Sequence, residues 1–342
     1  MVTVKLTTSR AMSTPYFEVA SSVVQAHARI REHIYKTPLI PARTAGVEHN
    51  AKVLFKAEQF QYTGSFKLRG AMSKMTKHSS TGKLITASSG NHGIASSHAA
   101  KTFSRDLTVV LPESVAPAKL AKIYSYGVEV IQHGYETGLA EKHAQQLSAS
   151  GEYTYISPYN DADIVAGQGT IGLEILEQCS EVDNIFISLG GGGLVSGIGS
   201  IMKAFNPRTK IWGIAAKNSM ALAASIRAGK VVETEHLPTL AEGVAGGMDE
   251  DSLTLPIAMS VVDEIVECSE EDIAIALRSL AIEENMIVEG AAALALAGFN
   301  HVTPYVTGQT SIIILCGGNV HADDIRTVIY GLEKAKPDFE SA

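Results

Sequence analysis

The chain has 342 residues, 45% hydrophobic and 19% charged, with 28 basic and 36 acidic side chains and a net charge of −8. That length exceeds one ordinary core and suits two domains or one large α/β unit, and the acidic balance argues against nucleic acid and anionic membrane surfaces. Three distant cysteines, Cys179, Cys268 and Cys316, indicate neither a disulfide framework nor a zinc site and point to a reducing, cytoplasmic compartment.

Residues 1–15 are rich in threonine and serine, lack the apolar core of a signal peptide, and read as a disordered tail. Beyond them, short patches rich in β-branched residues stand at 84–87, 107–111, 128–131, 153–156, 184–189, 211–214 and 311–316. Helical stretches at 92–103, 118–126, 136–148, 169–178 and 194–205 lie between them. Such alternation predicts crossover units and a mainly parallel sheet covered on both faces. The run Ile312 to Leu315 is short and bounded by Ser311 and Gly317, so it reads as a buried strand, not a membrane span. The expected fold class is α/β, with two doubly wound domains. The larger would take 16–78 and 161–342, and a smaller, mobile one 79–160.

Parallel sheets of this kind bind ligands at the carboxyl ends of their strands, so residues just after strands matter most. Lys67 follows Gly64, Ser65 and Phe66 in a stretch with few charges. Desolvation there disfavours the ammonium and leaves a nucleophilic amine. Such an amine can form a Schiff base with the carbonyl of a substrate or of pyridoxal phosphate. The competing reading is a surface lysine at a helix start.

The segment Ser88, Ser89, Gly90, Asn91, His92 follows one strand and opens a helix. Its hydroxyls and free amides suit a carboxylate, and Asn91 could hydrogen-bond a phenolic oxygen; plain capping by Ser89 or Asn91 is the alternative. Gly190, Gly191, Gly192 and Gly193, with Leu194 behind them, follow the apolar strand at 185–189. Val195 and Ser196 stand where a dinucleotide fingerprint would place its third glycine, and no Gly-Lys-Ser/Thr follows. A small phosphate fits better, against a tight packing turn that needs one or two glycines. Cys316 ends the last buried strand and could face a pyridine nitrogen as a weak, neutral partner, or be a buried apolar cysteine.

In order and context, these segments resemble the fold-type II pyridoxal phosphate-dependent enzymes, and within them the threonine/serine dehydratase and serine racemase group. The resemblance runs from about 37 to 319 and beyond. It implies that Lys67 carries the cofactor beside Phe66, and that Ser88 to His92 hold the substrate carboxylate, with Asn91 on the cofactor's O3′. The glycines and Leu194 would hold its phosphate, and Cys316 its ring nitrogen. Glu289 matches an acidic residue near the ring, or is a helix-first-turn acid favoured by the dipole. Glu242 would line the substrate side.

The implied reaction removes water from a 3-hydroxy amino acid by α,β-elimination, with Lys67 as base, giving a 2-oxo acid and ammonia. The substrate would resemble threonine or serine, or be a specialised catabolic one such as a product of hydroxyectoine degradation. Ser89 matches the serine that reprotonates Cα in racemases of the group, which keeps serine racemase activity open. A β-replacement or threonine synthase type, a nucleotide-binding oxidoreductase and a non-catalytic binding protein are the rivals. Where many relatives carry acidic metal ligands, this chain has Ala215, Ala216 and Ala221 with Lys217 between, so no metal is expected there. The short stretch after Cys316 leaves no room for a feedback-regulatory domain, and a homodimer is expected because relatives usually form one.

Overall fold

The computed structural model describes residues 15–77, 82–320 and 325–331. Pro15, read from sequence as the end of a tail, is the first residue of helix α1 (Pro15–Ile30), where its fixed φ and missing N–H suit a first turn. The rest of the expected tail lies outside the described residues. Strands β1 (Leu39–Pro41) and β2 (Lys52–Ala57) form an antiparallel pair, and helix α2 (Lys67–Lys77) follows. Then come β3 (Lys83–Ala87), α3 (Asn91–Thr102), β4 (Leu107–Leu111), α4 (Pro117–Tyr124), β5 (Glu129–Gln132), α5 (Thr137–Ala149) and β6 (Tyr153–Tyr155). This run closes on itself as a four-stranded parallel sheet in the order β5-β4-β3-β6.

The chain continues through α6 (Ala162–Gln178), β7 (Asn184–Ser188), α7 (Gly193–Phe205), β8 (Lys210–Ala216) and α8 (Ala221–Ala228). Then come α9 (Thr254–Val261), β9 (Glu264–Cys268), α10 (Glu270–Ile282), α11 (Gly290–Val302) and β10 (Thr310–Leu315), followed by a single wide helical turn at Ile325–Ile329. These build a six-stranded sheet, β1-β2-β10-β7-β8-β9, parallel except for β1. The fold class is therefore α/β with two mainly parallel, doubly wound sheets. Strands β7 and β10 are buried along their whole length, as expected of parallel strands with helices on both sides. Among the described residues no helix is long and apolar enough to cross a membrane.

The expected patches recur within a residue or two, with one clear exception. Helix α6 starts at Ala162, not at 169, because Asp161 caps it by accepting from the backbone N–H of Asp163 (2.8 Å) and Ile164 (3.1 Å). The expected boundary at 78–79 falls in 78–81, outside the described residues. The apolar face of α2 packs with the smaller sheet: Leu68, Met72 and Met75 share a core cluster with Leu84, Ile94 and Leu107.

The opposite face of α2 is charged and yet buried. Arg69 is fully enclosed and donates to Glu58 (2.8 Å) and to Glu174 of α6 (2.6 Å), while Lys56 of β2 donates to the second oxygen of Glu174 (2.6 Å). Two cations and two carboxylates thus balance in a dry site, a geometry that tolerates the loss of no single member. The network joins α2 to β2 and α6 two residues past Lys67.

Candidate active site

Lys67 is the first residue of α2, so the surface-helix reading was right about the helix, but the side chain is half-buried and lines a cleft instead of open surface. The segment before it is stitched to the end of β10: Phe66 N–H donates to the Cys316 carbonyl (3.0 Å), and Gly318 N–H to that of Gly64 (2.9 Å). That stitching brings the lysine and the cysteine, 249 positions apart in sequence, to the wall of one cleft of about 930 Å³. Lys67 Nζ donates to the Pro158 carbonyl (2.8 Å) and sits 5.3 Å from the centre of the Phe66 ring. Burial lowers its pKa to about 8, against an upward pull from the Glu289 carboxylate.

The Ser88–His92 segment bends between β3 and α3. Neither Ser89 nor Asn91 caps the helix; Gly90 occupies that position, with no side-chain cap, and the Ser88 hydroxyl accepts from its N–H (3.2 Å). The amides of a first helical turn have no partner within the helix, so this terminus can receive a carboxylate. Asn91 is held at both ends. Its amide nitrogen donates to both Glu289 oxygens (2.9 Å each), and its oxygen accepts from Asn319 (2.6 Å), which also donates to the Thr63 carbonyl (2.9 Å). His92 is buried, with Nε2 3.2 Å from the Ile156 carbonyl oxygen and Nδ1 without a partner. Burial, reinforced by the nearby Lys67, depresses its pKa to about 3, so the ring is neutral.

The four glycines connect β7 to α7. Gly192 precedes the helix at φ +90°, a conformation that L side chains rarely adopt. A Cβ on Gly191 would lie 2.3 Å from the Tyr159 ring, and one on Gly190 3.1 Å from Val244 Cα. Thr254 donates its hydroxyl to the Gly191 carbonyl (2.6 Å), fixing the turn from outside. Close packing explains part of the run, so the turn is narrow as well as suited to an anion at the α7 terminus.

Glu289 immediately precedes α11, yet its side chain leaves the helix end unsatisfied and turns to Asn91. Burial raises its pKa, and Asn91 opposes that shift. Cys316 is buried, and its thiol is pushed well above the usual range by burial and by Glu289, so it is neutral. Glu242 lies in a short helical turn at 242–244 that lines the cleft next to Glu289, where a Cβ on Gly243 would stand 3.2 Å from Glu289 Oε1. The same cleft therefore gathers Phe66, Lys67, Ser88 to His92, Gly190 to Leu194, Glu242, Glu289 and Cys316.

Two contributors were not singled out from sequence. Asn319 lies in the same Cys316-Gly317-Gly318-Asn319 motif, which could have flagged it. Tyr159 covers the glycine turn through tertiary packing alone, and no local signal announces it. The donor set fits pyridoxal phosphate: an amine lowered to about 8, a narrow glycine turn at a helix terminus, a neutral thiol, and the unpartnered His92 Nδ1.

Comparison with known proteins agrees. The family of pyridoxal-phosphate dependent enzymes matches residues 30–317. An L-threo-3-hydroxyaspartate ammonia-lyase of Saccharomyces cerevisiae is 34% identical over 91% of this chain and 96% of its own. A serine racemase from Dictyostelium discoideum superposes with a TM-score of 0.81 at 31% identity, over 88% of this chain and 98% of its own. The processed threonine deaminase isoform 2 from Solanum lycopersicum gives 0.88 at 27% identity, over 93% and 88%. With a match across most of its length and the matching residues on one cleft, the chain belongs to the pyridoxal-phosphate dependent enzyme family.

Proposed function

We propose that this protein is a pyridoxal phosphate-dependent ammonia-lyase that removes water from a 3-hydroxy amino acid and releases a 2-oxo acid and ammonia. The observation that carries the reading is the Lys67 amine, lowered to about 8, on the same cleft as the glycine turn and the Cys316 thiol. Its relatives named as L-threo-3-hydroxyaspartate ammonia-lyase and threonine deaminase support the reaction class.

When bound, pyridoxal phosphate supplies a carbonyl for imine formation and a ring that withdraws electrons from Cα. Lys67 Nζ is the group that takes the Cα proton. At the ordinary lysine pKa roughly one amine in 3,000 is neutral at pH 7, whereas at about 8 the figure is about one in ten. The α3 terminus and Ser88 to Gly90 hold the substrate carboxylate, which leaves Cα within reach of Nζ. Cys316, kept a neutral thiol, offers the ring nitrogen no charged partner. That favours departure of the 3-hydroxyl in step with the Cα proton over a long-lived carbanion. The enamine that leaves hydrolyses in water to the 2-oxo acid and ammonia.

Threonine, serine and threo-3-hydroxyaspartate should each be screened with the purified protein and pyridoxal phosphate. The reading predicts equal amounts of ammonia and 2-oxo acid from at least one of them alone. A requirement for a second nucleophile or a phosphorylated substrate would move the assignment to a β-replacement or threonine synthase type. Ser89, on the same cleft as Lys67, favours a second activity, racemisation. Recovery of serine from heavy water with no deuterium in the opposite enantiomer excludes it.

The same reading takes the enzyme to be a cytoplasmic homodimer whose segment 79–160 moves as a smaller domain. The separate parallel sheet supports the smaller domain and the three cysteines without a disulfide a reducing compartment; the homodimer rests on the family resemblance alone. Ala215, Ala216 and Ala221 offer no side-chain donor for a cation. Activity is therefore expected to survive EDTA, and a loss restored by magnesium would contradict that.

A further inference from the structure

Away from the cleft, three side chains of ligand type converge from three elements. They are Cys268 at the end of β9, Asp272 in the first turn of α10 and His301 in the last turn of α11. A sulfur, a carboxylate oxygen and a ring nitrogen from these residues all lie within 4.8 Å of one another. We propose that they form a binding site for a zinc-like divalent transition-metal ion, with a fourth position open to water.

The distances favour this. Asp272 Oδ1 and His301 Nε2 are 3.2 Å apart. A tetrahedral zinc with bonds of about 2.0–2.1 Å sets neighbouring nitrogen and oxygen ligands about 3.3 Å apart. One edge of the tetrahedron is therefore already in place. The thiolate bond is longer, about 2.3 Å, so edges to sulfur are about 3.5 Å; with all three atoms within 4.8 Å, no such edge has more than about 1.3 Å to close.

The carboxylate is also oriented in advance. Asp272 Oδ2 accepts from both the backbone N–H and the hydroxyl of Ser269, each at 2.7 Å, while Oδ1 faces His301 Nε2, a contact that an ion would replace by ligating both atoms. Sulfur, imidazole and a single carboxylate make a soft donor set, unlike the all-oxygen cages of magnesium or calcium. Burial and the neighbouring Asp272 push the Cys268 thiol up to about 12, so the ion must displace its proton on binding; the resulting thiolate and the carboxylate then cancel the charge of a divalent ion. Lys217, whose N–H donates to the Cys268 carbonyl, brings an opposing charge, but its side chain is exposed and screened by water. Cys268 is buried and His301 exposed, so the ion enters from the histidine side.

Cysteine spacing had argued against any zinc site. It missed this one because the ligands stand at 268, 272 and 301, on elements that only the tertiary fold brings together. Bound metal would tie β9, α10 and the far end of α11, whose opposite end follows Glu289.

The cofactor-loaded enzyme, freed of metal by chelation and dialysis, should be titrated with cobalt(II) and with zinc, beside the Cys268→Ser and His301→Ala variants. His301 is exposed, so its variant should fold, and retained cofactor absorbance verifies this. One ion per chain is expected in the wild type, with a thiolate-to-cobalt band in the near ultraviolet that Cys268→Ser lacks. His301→Ala should bind roughly tenfold or more weaker, and at equal concentration zinc should raise the melting temperature of the wild type more than that of either variant. No binding by the wild type, or equal binding by either variant, overturns the proposal.

Discussion

The Asn91 amide donates to both carboxylate oxygens of Glu289 at 2.9 Å, so helix α3, which packs with the smaller sheet, is tied directly to the start of α11. Through this contact Glu289 is kept beside Lys67, whose pKa burial lowers and Glu289 raises. Replacing Glu289 with Gln keeps the shape and removes the charge, so the amine should lose its proton at lower pH. The readout is the rate at which cofactor-free enzyme captures pyridoxal phosphate. In the wild type this rate should rise with pH as the ammonium deprotonates and level off above about 8. In Glu289→Gln the rise should come at lower pH; an unchanged or higher midpoint contradicts the assigned electrostatics.

Arg69 lies fully buried between Glu58 and Glu174. Arg69→Ala leaves two enclosed carboxylates with only Lys56 to balance them, which costs about 3–5 kcal/mol of stability. Urea unfolding measures it. A loss below about 1 kcal/mol would show that water or a rearranged Lys56 replaces the guanidinium.

The glycine turn is crowded on one side by Tyr159. A Cβ at Gly191 would stand 2.3 Å from its ring, whereas one at Gly138 in α5 meets nothing within 4 Å. Gly191→Ala should weaken pyridoxal phosphate binding by about tenfold or more, since about 1.4 kcal/mol of displacement is enough. Gly138→Ala should leave binding unchanged. Absorbance titration of the two variants compares them, and equal affinities would remove the glycine turn from the binding site.

Much of this was readable because the signals are local. Alternating β-branched and helical patches report parallel crossover units, and the serine-asparagine and tetraglycine segments each follow a strand, where such sheets bind ligands, while the lysine opens a helix ten residues after β2. What sequence hid is tertiary. The start of α6 was lost among Gly167, Gly169 and Gly172, poor helix formers on paper, because its capping Asp161 lies upstream of them. Helix α11 is buried nearly all round, so no amphipathic period marks it, and the capping box of Ser269 and Asp272 that opens α10 was a signal left unread. The competing reading of Asn91 as a cap failed because its side-chain oxygen, the atom that would accept from the helix N–H groups, accepts from Asn319 instead, while its amide donates to Glu289, 198 residues away. The Lys56–Glu174–Arg69–Glu58 network is likewise invisible along the chain, since charged residues read as surface until their partners are seen.

Reduction of the cofactor-loaded enzyme with borohydride, followed by intact-mass and peptide analysis, tests the central claim most directly. The account predicts one pyridoxyl phosphate group per chain, on the peptide containing Lys67, and none in Lys67→Ala. A label on another lysine, or an unlabelled wild-type chain at saturating pyridoxal phosphate, would contradict it.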